Sequence, residues 1–85
     1  MYSRNTWYVK GRVLAVTSSN GRLLLQVKGM LFRPKLFEMK CTTDFSLPID
    51  DRIKRGSKIT VKGNLFFNKA SVRFIPTEVL SVKRG

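Results

Sequence analysis

The sequence predicts an all-β fold, a small five-stranded Greek-key barrel with a short irregular or helical insertion between its third and fourth strands. Three observations lead there. Apolar and polar residues alternate with period two in separate stretches along the chain, the pattern of half-buried strands. Glycines interrupt the first and fourth of these stretches on their apolar faces, at Gly11 and Gly63, and glycine inside a strand marks a bend or a close backbone approach. No stretch carries a sustained helical period. At 85 residues the chain is one domain with a modest core.

The first strand spans 6–17, with Trp7, Val9, Gly11 and Val13 on one face and Tyr8, Lys10, Arg12 and Leu14 on the other. Beyond Val13 both faces turn apolar, as in a strand bending from one sheet into another. Ser18-Ser19-Asn20-Gly21 follows, and Asn-Gly between strand patterns is a strong hairpin signal. The second strand, 22–28, directs Leu23, Leu25 and Val27 inward. Gly29 to Pro34 then reads as an apolar and basic connection. The third strand, 35–42, sets Phe37, Met39 and Cys41 against Leu36, Glu38 and Lys40.

From Thr43 to Arg55 the period is lost, and Pro48 argues against a long helix. The fourth strand is the clearest of all. After Gly56-Ser57, Ile59, Val61, Gly63 and Leu65 alternate with Lys58, Thr60, Lys62, Asn64 and Phe66. Asn68-Lys69-Ala70-Ser71 turns the chain into a fifth strand over 72–82. Pro76 cannot donate to a ladder, so this strand is an edge or is bulged there. Five strands in this order, bent by glycines and closed to protect apolar edges, make an OB-type barrel.

Composition narrows function. Seventeen Lys and Arg oppose five Asp and Glu, for a net charge of +12. Such self-repulsion is relieved by a polyanion, nucleic acid first and an anionic membrane surface second. The cations lie along the strands rather than in a tail. One cysteine and no histidine leave almost no ligands for structural zinc and no intramolecular disulfide. No apolar run is long enough for a transmembrane helix, and Met1 to Asn5 lacks the features of a signal peptide, so a reduced cytoplasmic setting is expected. Without histidine, paired carboxylates on firm structure, a phosphate loop or a nucleophile motif, no enzyme and no cofactor are expected.

The run Ile53-Lys54-Arg55-Gly56-Ser57-Lys58-Ile59-Thr60-Val61-Lys62-Gly63-Asn64-Leu65 resembles the fourth-strand segment of bacterial single-stranded DNA-binding proteins and of primosomal replication protein B. Val9-Lys10-Gly11-Arg12-Val13 resembles their first strand, and Phe74-Ile75-Pro76-Thr77-Glu78-Val79 is a looser match to their closing strand. The resemblance implies an OB fold, sequence-tolerant binding of single-stranded nucleic acid without catalysis, and assembly into dimers or tetramers. Two features depart from it. The sequence finishes on Val82-Lys83-Arg84-Gly85 in place of an acidic tail, and Phe37 and Met39 occupy the strand that commonly carries a tryptophan.

Sequence-tolerant binding requires cations along the phosphates and flat side chains for the bases. OB folds bind on the outer face of the second and third strands, beside the first-to-second and fourth-to-fifth loops. The outward residues there are Tyr8, Lys10 and Arg12 from the first strand, Arg22 and Lys28 from the second, and Lys40 from the third. Phe32, Arg33 and Lys35 come from the connection after the second strand, and Lys62, Phe66, Phe67 and Lys69 from the fourth strand and its loop. Trp7 shares its face with Val9 and Val13 and reads as core, as does Cys41.

The expected function is single-stranded DNA binding in replication or recombination. An RNA-binding OB domain of cold-shock or translational type is the alternative within the class, since stacking and phosphate tracking serve both polymers. An OB protein-interaction module using Met30-Leu31-Phe32 and Phe66-Phe67 is the alternative outside it. A homodimer covering outward Leu14, Leu24 and Leu36 accords with any of these.

Overall fold

A computed structural model describes residues 5–67 and 69–85. Met1 to Arg4, within the stretch expected to lack signal-peptide features, and Asn68, part of the expected fourth-to-fifth turn, lie outside the described residues. The described chain is all-β. Its strands are β1 (Trp7–Ser19), β2 (Arg22–Arg33), β3 (Phe37–Pro48), β4 (Lys58–Phe67) and β5 (Val72–Lys83). They form a single antiparallel sheet in the order β3-β2-β1-β4-β5.

The sheet coils about a core that the period-two faces supply. Val9 and Val13 of β1, Leu23, Leu25, Val27 and Leu31 of β2, Phe45 and Leu47 of β3, Ile59, Val61 and Leu65 of β4 and Phe74 of β5 are all buried. Ile53 joins them from the β3–β4 connection. The edge strands face one another where the rings of Phe45 and Phe74 meet edge-on, 5.4 Å between centroids. The ladder does not close across this seam, so the sheet is coiled but open.

Three local expectations need correction. The segment after Thr42 is neither helical nor irregular through Pro48. Phe45 and Leu47 point inward while Asp44 and Pro48 face out, and β3 continues to Pro48. Residues 49–57 then connect to β4 through turns, with no helix among the described residues. The presumed connection from Gly29 is also strand, because β2 runs on to Arg33 and Leu31 enters the core. Finally, Phe37 and Met39 have the inward parity expected of them yet are 46% and 47% exposed. The contact with β5 lies farther along β3, at Phe45, and leaves this half uncovered.

The Gly-Ser element preceding β4 has a clear local cause. Ser57 N–H donates to Lys54 O at 2.9 Å, closing a turn of the type II form, and Gly56 holds φ at +93°, as the third position of that turn requires. The buried Ser57 hydroxyl accepts from Lys54 N–H at 2.9 Å. The turn then docks on β1, with Gly56 N–H on Val13 O at 2.8 Å and Val13 N–H on Ser57 O at 2.9 Å. Beside that docking point the β1–β2 register shifts between Val13 and Ala15, so Leu14 is bulged outward. Asn20 and Gly21 carry φ of 51° and 75°, the two positive values a type I′ hairpin turn needs. Ser57→Ala leaves the Lys54 N–H without its buried acceptor. It is expected to cost about 1–2 kcal/mol, read as a lower urea midpoint at unchanged m-value.

Candidate nucleic-acid interface

Register assembles the outer face of the sheet into rows. Lys28 opposes Arg12, and Arg12 opposes Lys58 on its other side. Lys58 in turn opposes Lys83, so one row carries cations on four consecutive strands. In the next row Lys40 opposes Met30, and Met30 opposes Lys10. In the row beyond, Glu38, Phe32, Tyr8 and Lys62 follow one another across β3, β2, β1 and β4.

Residues of the first two rows line a groove of about 840 Å³. Lys10, Arg12, Lys28, Lys40 and Lys58 surround it, and Leu14, Met30, Cys41 and Thr42 supply apolar and small surface. Its floor is thin at Gly11 and Gly29, which oppose each other. A Cβ on Gly29 would strike the Lys10 carbonyl and the Gly11 Cα, so only hydrogen side chains permit this approach. Among the described residues none of the groove's cations forms an ion pair; Arg52 and Asp50, in the β3–β4 connection, do so at 2.7 Å. Like charges opposed across a ladder repel, and five of them around one groove leave a strong positive field for an anion to relieve.

Beside the groove Tyr8 and Phe32 stack, 5.3 Å between centroids and 21° from parallel. Both are half-buried. This is a cross-strand aromatic pair on the cationic face, in the row next to the groove.

The expected residues therefore divide. Lys10, Arg12, Lys28 and Lys40 come together in the groove, with Tyr8 and Phe32 adjoining it and Lys62 next to Tyr8. Arg22 lies far along β2, where its guanidinium donates to Ser46 Oγ at 3.1 Å and Ser46 O at 3.3 Å. Arg33 instead covers Trp7, 5.5 Å from the ring centroid, and Trp7 packs edge-on against Phe37 while resting on the core. Lys35 sits in the β2–β3 turn at φ 65°. Phe66, Phe67 and Lys69 lie at the β4–β5 hairpin tip, and both rings are exposed, at 52% and 70%.

Lys58 was missed although its outward parity was evident, because only the β1–β4 pairing reveals Arg12 as its neighbour. Met30 was missed as a groove residue because its segment read as a connection. Cys41 is half-buried, and burial pushes its thiol above the usual value, outweighing a hydrogen bond with the Leu31 backbone. Hydrogen bonds from Arg52 hold the Asp50 carboxyl below its usual value, which ties this acid to its turn. Among the described residues no three His, Cys, Asp or Glu side chains cluster to hold a metal, and no helix is long and apolar enough to cross a membrane. Searches of protein-family models, curated proteins and solved structures found no match to this chain.

Proposed function

We propose that this chain is an OB-type barrel that binds single-stranded nucleic acid without reading its sequence, DNA in the first instance, and acts stoichiometrically rather than as an enzyme. The observation that carries the reading is the groove of unpaired Lys10, Arg12, Lys28, Lys40 and Lys58 beside the stacked Tyr8–Phe32 pair. Phosphates need the first and exposed base faces the second, and a duplex keeps its base faces stacked on one another. The strand order supports the OB reading, since joining β3 to β5 would complete the closed order of that barrel. The resemblance of residues 53–65 to bacterial single-stranded DNA-binding proteins points the same way, and with it goes a role in replication or recombination in the cytoplasm.

A dimer belongs to the same reading. Exposed Leu24, Phe67 and Val72 are surface that a second copy would cover.

Titration of a mixed-sequence single strand at several salt concentrations tests the proposal. If all five groove cations engage, log affinity falls with log salt at a slope of about −3.5. No binding below about 100 μM at low salt removes the proposal, because nonspecific nucleic-acid binding already reaches that range. A matched RNA competitor in the same assay decides polymer preference.

A further inference from the structure

The β2–β3 turn encloses a pocket of about 390 Å³. Phe32 and Glu38 are direct cross-strand partners on the outward face, so they stand side by side at its mouth. Pro34, Leu36 and Phe37 add apolar lining, and Lys35 adds a cation. The turn is closed by Leu36 N–H donating to Arg33 O at 3.1 Å. One face of the Phe32 ring is taken by Tyr8, which fixes its plane and leaves the opposite face, on the β3 side, for a ligand.

The carboxylate needs an explanation. Acids are scarce in this chain, five against seventeen cations. Glu38 borders the cationic face that the proposed reading gives to phosphate, where it weakens that attraction. It is exposed and, among the described residues, forms no ion pair, so its oxygens remain free to accept. A carboxylate is an acceptor only, and it favours a partner that brings N–H donors. Cytosine, adenine and guanine each carry an exocyclic amino group, whereas thymine carries none and offers a single ring N3–H flanked by two carbonyl oxygens that a carboxylate repels.

We infer that this pocket is a base subsite that prefers amino-bearing bases. The base stacks on the free face of Phe32, its amino group donates to Glu38, and Lys35 meets the adjoining phosphate. Arg33 takes no part, since it is engaged on Trp7. The inference rests on the single-strand reading above and adds a preference that the groove alone does not carry.

The test compares oligodeoxycytidine with oligodeoxythymidine of about a dozen nucleotides, within the site size of one such fold. Wild-type protein should favour the cytidine oligomer by about tenfold, the effect of one hydrogen bond to a charged group. In Glu38→Ala the ratio should fall to within about twofold of unity, mainly because thymidine binding improves once the opposing oxygens are gone. Glu38→Gln, which can donate as well as accept, should likewise raise thymidine affinity. An unchanged ratio in both variants, or equal binding of both oligomers by wild type, overturns the subsite while leaving the groove reading intact. No binding of either oligomer by wild type overturns the groove reading and the subsite with it.

Discussion

Replacing Arg12 and Lys28 together by alanine is expected to weaken single-strand binding at low salt by about 30-fold or more while making the free protein more stable. The two residues oppose each other across β1 and β2, and Lys58 flanks Arg12 on β4. Each carries a phosphate contact in the proposed complex. Losing two should flatten the salt slope by about 1.4, from about −3.5 to about −2. In the free protein the same pair is a repulsion, and like charges directly opposed in a ladder cost up to about 1 kcal/mol. Removing them should therefore raise the urea midpoint. Opposite signs in the two assays separate an interface from a solubility surface. A double variant that binds as wild type, with an unchanged slope, would show that this row does not meet the ligand.

Gly29→Ala should have the largest effect on stability. The added methyl would fall on the Lys10 carbonyl oxygen and 2.5 Å from the Gly11 Cα, both backbone atoms that cannot rotate away. β1 and β2 must part, and overpacking of this kind costs about 3 kcal/mol or more. That is a large share of the 5–15 kcal/mol available to a domain. Gly21→Ala is the informative comparison. Gly21 has open space around its Cβ position but a φ of +75°, so its substitution carries only local strain of about 1 kcal/mol. Equal denaturation midpoints for the two variants would falsify the close approach. Because Gly11 and Gly29 line the groove between Lys10, Arg12 and Lys28, any Gly29→Ala protein that still folds should also bind less well.

Much of this was legible in the residues. Strict alternation gave the inward faces of β1, β2 and β4 as the structure has them, from Val9 and Val13 to Ile59, Val61 and Leu65. Asn20-Gly21 fixed the first hairpin through its positive φ angles. What failed was decided at long range. The second half of β3 alternates as regularly as the first, but Asp44, Ser46 and Pro48 on its outer face disguised it as loop. Phe37 and Met39 have core parity and core chemistry. Their exposure depends on where β5 crosses, which no local pattern encodes. Lys58 illustrates the same limit, since its place in the groove follows from standing opposite a residue forty-six positions earlier. Individual outward cations could be named, but the division between a groove, the far end of the sheet and a hairpin tip needed the register.

Asn5 continues the β1–β4 ladder by other means. Its side-chain Nδ2 donates to Leu65 O at 2.7 Å and its Oδ1 accepts from Leu65 N–H at 2.8 Å, the reciprocal pair a peptide group would make. Trp7 opposes Gly63 in that ladder, so position 5 is the one that falls opposite Leu65. A carboxamide standing in for backbone makes strand alignment self-checking. A slip by one residue would turn Val9 and Val13 to solvent and would bring Thr6, whose hydroxyl cannot match the planar donor–acceptor pair, against Leu65. The correct pairing is thus specified twice, once by oil and once by a single amide, before any residue of the groove comes into use.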